Sequence, residues 1–175
     1  MPNAEQHTPM TFQKVARIAQ EMTLQQGSHV PLLAIQGDQQ ALLLPMTELA
    51  DTHEGRAQQM FITGLALASS GEVGVLQQVF FITEGWLSVV DTGEIPDTPP
   101  SQDPQRREVL TISNLDMETG KTQMKLLEMK RDDQGKLQAL EQPDWRKDTG
   151  KTEAESPLLN AFVLGFFGLA LSSDD

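Results

Sequence analysis

Glu72–Val90 reads EVGVLQQVFFITEGWLSVV, a long β pattern that carries a glutamate and a tryptophan in its second half. Val79, Phe80, Phe81 and Ile82 are apolar in succession, hence apolar on both faces of a pleated strand. Such a strand belongs near the middle of a sheet that is covered on both sides. Glu84 follows Ile82 by two residues and precedes Trp86 by two, so all three share a face unless Gly85 bulges the strand. A carboxylate entering an otherwise apolar strand is the strongest chemical signal in the chain.

Upstream of this strand, Thr8-Pro9 has the form of a helix start, with Thr8 as N-cap and Pro9 in the first helical position. Phe12, Val15, Ala16, Ala19 and Met22 then recur at helical spacing, and Gly27 stops the run. Val30–Gln36 and Ala41–Met46, joined by Gly37–Gln40, read as a β-hairpin. A second helix is expected from near Thr52 to Ala68 or Ser69, ended by Gly71. Its apolar stripe is Ala57, Met60, Phe61, Gly64, Leu65 and Ala68, and Gly64 suggests close approach of helix and sheet.

Downstream, residues 91–107 hold four prolines and four acids, and Ile95 is their only apolar side chain. That composition predicts a long exposed loop without regular structure. A meander follows: strands over Glu108–Leu115, Thr122–Lys130 and Lys136–Glu141, with turns at Asp116–Gly120 and Asp132–Gly135. Ser156-Pro157 is a second N-cap pair, opening a helix expected to reach about Leu171. The element order is therefore α-β-β-α-β-β-β-β-α. Hairpins dominate it, which predicts a single α+β domain over residues 1–175 with a mostly antiparallel or mixed sheet and a loose tail at residues 1–8.

With 175 residues the chain can bury a core without metal or disulfide support. It has no cysteine, which excludes disulfides, thiolate metal sites and cysteine nucleophiles together. The first residues carry no basic head and apolar core of a signal peptide, and no window reaches the ~20 apolar residues of a membrane span. A cytoplasmic protein that binds no membrane is the expectation. A net charge of −12 argues against nucleic acid as a partner. The bases concentrate after residue 100, where Lys121, Lys125, Lys130 and Arg131 offer either an anion-facing strip or a solvated meander.

Several chemistries lack their residues. His7, His29 and His53 do not pair at ligand spacing, and Asp51 with Glu54 beside His53 suits the positive end of a helix better than a metal. Gly-Lys-Thr occurs at Gly120–Thr122 and Gly150–Thr152, but Leu115 and Trp145 stand where a phosphate loop needs its first glycine. There is no Gly-x-Ser-x-Gly elbow. No cofactor and no metal site are predicted.

Two sites remain. Glu84 and Trp86, with Arg106 and Arg107 as candidate partners, form a candidate ligand-binding site beside the 91–107 loop. Arg56 is a third possible partner for Glu84, and no second carboxylate can be assigned opposite it. The last helix is nearly apolar all round, so it must be surrounded by protein. Leu158, Leu159, Phe162 and Phe166 would then lie either in the core or in a homodimer or partner interface, and Gly165 and Gly168 permit close backbone contact in both cases.

The segments FFITEGW (Phe80–Trp86) and DPQRREVLTISNLD (Asp103–Asp116), over residues 10–142, and the SPLLNAF start of the last helix resemble a family of uncharacterised bacterial proteins of similar length. The resemblance implies a bacterial cytosolic protein and carries no catalytic residue, since no activity is assigned to that family. The reading of the chain is thus a binding or structural protein without catalysis that self-associates. The alternative is an enzyme or small-ligand-binding protein with its site near Glu84, Trp86 and the 91–107 loop.

Overall fold

The computed structural model describes residues 9–88, 98–144 and 156–168. Its elements are α1 (Phe12–Gln26), β1 (Leu32–Gly37), β2 (Ala41–Pro45), α2 (His53–Ser70), β3 (Leu76–Leu87), β4 (Arg107–Asp116), β5 (Thr122–Arg131), β6 (Leu137–Glu141) and α3 (Pro157–Phe166). The strands form one sheet in the order β2-β1-β3-β4-β5-β6, and every neighbouring pair is antiparallel. This is an α+β fold with the predicted element order. β3 lies third in the sheet, and Val79 to Ile82 are buried on both faces.

The two faces are covered differently. Leu33, Ile35, Val79, Phe81 and Leu115 point toward α2 and α3, where Met60, Leu159, Ala161 and Phe162 complete the core. Ile82, Leu110, Ile112, Leu127, Met129 and Leu137 point toward α1 and pack on Ala16 and Ala19. Small residues on the inner stripe let α1 lie close to the sheet. Thr23 is also buried there, with its hydroxyl donating to the Ala19 carbonyl.

α1 begins at Phe12 and not at Pro9. Thr11 is the cap, extended at φ −95°, and its hydroxyl accepts from the Lys14 N–H. The Met10 N–H donates to Gln36 Oε1, which holds residues 9–10 against the hairpin and outside the helix. Thr8 lies outside the described residues. Phe12, Val15, Ala16 and Ala19 pack toward the sheet as expected, while Met22 is exposed and Thr23 is buried in its place.

α2 runs as expected from the Thr52 cap to Gly71, which sits at φ 69°. The role of Gly64 differs from expectation. A side chain at Gly64 would strike the backbone of Phe162, and one at Gly165 would strike the backbone of Phe61. The two glycines let α2 meet α3, not the sheet, at backbone distance. α3 ends at Phe166, and the rest of its predicted extent beyond residue 168 lies outside the described residues. Within the 91–107 segment, Pro100–Gln102 forms a single exposed 3-10 turn where no regular structure was expected, and residues 91–97 lie outside the description. The 1–8 tail and the second Gly-Lys-Thr lie outside it as well.

Candidate binding cleft at the open end of strand β3

β3 is longer than its neighbour β1. Leu32, the first residue of β1, pairs with Ile82, whereas β3 continues to Leu87 paired, among the described residues, with β4 alone. The direction of the backbone groups follows from two hydrogen bonds outside the regular ladder. The Met117 N–H donates to the Gln77 carbonyl at 2.9 Å, so odd-numbered residues of β3 turn their amides toward β4. Even-numbered residues turn toward β1. Ile82 therefore finds Leu32, while Glu84 and Trp86 direct their backbone groups past the end of β1. The register runs unbroken through Gly85, so there is no bulge and Glu84 does share its face with Ile82 and Trp86.

A cleft of about 490 Å³ opens at this place. Thr83, Glu84, Gly85 and Trp86 line it along the strand, with Glu108 of β4 beside them. Pro31, Leu49 and Arg56 bound it on the side of β1 and α2, and Pro100 and Ser101 bound it on the other. The space above Gly85 is open, with nothing within 4 Å of where a side chain would start. Trp86 is half exposed, and the Arg106 guanidinium lies 4.5 Å from its ring centre.

Glu84 does not pair with Arg106, Arg107 or Arg56. Its carboxylate accepts a hydrogen bond from the backbone N–H of His29. Arg106 stacks on Trp86, Arg107 pairs with Glu128 at 3.3 Å, and Arg56 donates to the Ala50 carbonyl at 2.7 Å. The reason is topological: α1 lies on the Glu84 face of the sheet, and the chain leaving α1 passes over Glu84 before it enters β1. Desolvation raises the Glu84 pKa above the ordinary carboxylate value, and the nearby Glu108 charge adds to this. The His29 N–H and, more weakly, Arg131 act in the opposite direction.

Glu108 is the second carboxylate of the cleft. Arg131 holds it in a bidentate pair, Nε to Oε2 at 2.6 Å and Nη2 to Oε1 at 2.8 Å. Arg131 Nη1 also donates to the carbonyls of Gly27 and Gly135, so one guanidinium ties β4 and β5 to the end of α1. The Glu108 bond raises the Arg131 pKa further. Lys130 is likewise engaged, 2.6 Å from Glu128. Lys130 and Arg131 are thus both in ion pairs, which favours the solvated meander over the anion-facing strip.

His29 is 8% exposed. Its Nδ1 bonds the Val30 carbonyl at 2.7 Å, while Nε2 is buried with no partner among the described residues. Burial lowers its pKa, against a smaller raising effect of the Val30 carbonyl. Among the described residues no group of three or more histidines and acids is placed to hold a metal ion.

Of the four residues foreseen for this site, Glu84 and Trp86 line the cleft, Arg106 touches it through Trp86, and Arg107 turns to Glu128. Sequence reading missed Glu108, Arg131 and His29. Glu108 alternates with Leu110 and Ile112, a signal for its face, but only the β3–β4 register sets it beside Trp86. In α3, Leu159 and Phe162 are fully buried in the chain's own core, while Leu158 and Phe166 pack at its margin. No described helix is long and apolar enough to cross a membrane. No family model, curated protein or solved structure matches this chain.

Proposed function

We propose that this protein is a non-catalytic binding protein that receives a polar ligand in the cleft at the open end of β3. The observation that carries the reading is the convergence of Glu84, Trp86, Arg56 and Glu108 on one cleft of about 490 Å³. An indole with an exposed face, a carboxylate and a guanidinium are the groups that fix the orientation of a polar ligand. Arg131 already saturates Glu108, so Glu84 is the acceptor left to a ligand. Self-association through α3 draws less support, because Leu159 and Phe162 would have to leave the core to reach a partner. A cytoplasmic setting belongs to the proposal and rests on the lack of cysteine.

The placement of Glu84, whose carboxyl pKa burial pushes up, beside the Arg131-bound Glu108 favours a second reading, acid–base chemistry in the same cleft. The two readings separate on Glu84→Gln, which keeps an oxygen for the His29 N–H and removes the charge. Binding would be followed by amide chemical-shift mapping with simple amines, guanidinium compounds and amino acids. The binding reading expects shifts confined to Thr83–Trp86 and Arg56, weakened in Glu84→Gln and abolished in Trp86→Ala. Turnover of any bound compound by the parent, lost in Glu84→Gln with binding retained, would replace it by the enzyme reading. Shifts elsewhere, or none, would sink both.

A further inference from the structure

We infer that the cleft takes an extended peptide segment of another protein, which adds to the sheet as a strand along Glu84–Trp86 and carries a basic side chain opposite Glu84; this rests on the cleft being the binding site. Most of β3 is flanked on both sides, but past Ile82 no described strand pairs with its β1 side. Pro31 is the last residue on the line of β1, bonded to β2 through its carbonyl. Beyond it the chain lifts toward α1, where His29 meets the Glu84 carboxylate. The slot left behind continues the line of a strand, and its floor is the backbone edge of β3. Among the described residues the Glu84 carbonyl receives only the Thr83 hydroxyl, and no bond reaches the Trp86 backbone from the β1 side.

Unpaired backbone groups at a sheet edge are the feature that extended peptides recognise, with affinity from main-chain bonds and selectivity from alternate side chains. Thr83–Leu87 spans roughly 13 Å at the usual rise per residue, enough for a segment of about four or five residues. Gly85 leaves the approach open on one side of the edge. On the other side, a residue directly opposite Glu84 would contact its carboxylate, and a lysine or arginine there makes the favourable cross-strand pair. The net charge of −12 draws a basic segment in from a distance.

The test is a titration of the full ¹⁵N-labelled chain with three pentapeptides and one small control. The peptides are acetyl-Thr-Val-Lys-Val-Thr-amide, its counterpart with glutamate in the centre, and the lysine peptide with alternate backbone amides N-methylated. The control is acetyl-lysine-amide. The lysine pentapeptide should shift the Glu84 and Trp86 amides and slow their hydrogen exchange. Acetyl-lysine-amide and the glutamate peptide should each bind at least about tenfold more weakly, and the N-methylated peptide should give no protection. Equal binding by acetyl-lysine-amide or by the N-methylated peptide would overturn strand addition while leaving the cleft as a small-ligand site. Equal binding of the glutamate peptide would overturn the basic requirement. No response at Thr83–Trp86 to any of the four would overturn this inference, and failure of the small-molecule panel as well would remove the cleft reading beneath it.

Discussion

The two faces of the sheet are closed by different physics. On one, α2 and α3 interlock through Gly64 and Gly165 over Met60, Leu159 and Phe162, with no ionised side chain in the cluster. On the other, α1 packs its middle on Ile82, Leu110 and Ile112, but its C-terminal end is fastened by polar groups. Arg131 holds Gly27 and Glu108, and Glu84 holds His29. Close packing of backbone on backbone tolerates no added atom, so the first face fixes the fold. A polar fastening can be rearranged by charge and by pH, and the cleft opens beside it, past the end of β1.

The contrast can be broken at graded cost. Phe162→Ala empties the centre of the apolar face and should lose about 3–5 kcal/mol in a denaturant titration. A loss near 1 kcal/mol would mean that α3 is not core. Gly165→Ala adds one carbon against the Phe61 backbone and should cost about 1–3 kcal/mol, with no change at Gly168→Ala beyond its left-handed backbone preference. On the polar face, Arg131→Met leaves Glu108 and two carbonyls without their donor. A cost of about 1–3 kcal/mol is expected, with faster exchange at the end of α1.

Glu84→Gln should leave stability at neutral pH within about 1 kcal/mol of the parent, or raise it, because it relieves the desolvation of a charge and keeps the His29 acceptor. A loss above that would make Glu84 a structural anchor only. The smallest effect is the pH dependence of His29. Its folded pKa lies below the unfolded value, so the unfolded chain takes the proton first. Stability should be full above the ordinary imidazole value of about 6.5 and decline as pH falls through it, by less than about 1.4 kcal/mol per pH unit. Glu84 has the opposite sign: its folded pKa is raised, so its contribution grows as pH falls toward the ordinary carboxylate range. His29→Asn should flatten the first slope and Glu84→Gln the second. A parent curve without the decline below pH 6.5, or one unchanged in His29→Asn, would contradict the buried neutral imidazole.

Much of this fold was legible in the sequence because local chemistry coincided with it. Thr52 and Gly71 bound α2, Gly27 ends α1, and the turns at Asp116–Gly120 and Asp132–Gly135 divide the meander where they were expected to. Thr8-Pro9 misled because Thr11 is an equally good cap, and a tertiary bond from Met10 to Gln36 decides between them. The site was legible in part. The period-2 pattern places Glu84 and Trp86 together, but their partners come from residues 20 to 55 positions away. His29 reaches Glu84 only because α1 crosses that face of the sheet, and a helix's choice of face leaves no local mark. Arg106 and Arg107 were named for proximity in charge, yet register sends one to Trp86 and the other to Glu128.

An edge of β3 unpaired from Glu84 onward is read directly by amide hydrogen exchange of the free protein. Phe80, Ile82, Glu84 and Trp86 all direct their N–H groups to the same side of one strand. Slow exchange is expected at Phe80 and Ile82, where β1 covers them, and exchange faster by orders of magnitude at Glu84 and Trp86. Protection at Glu84 and Trp86 equal to that of Ile82 would show the edge already filled, and would contradict an unpaired edge.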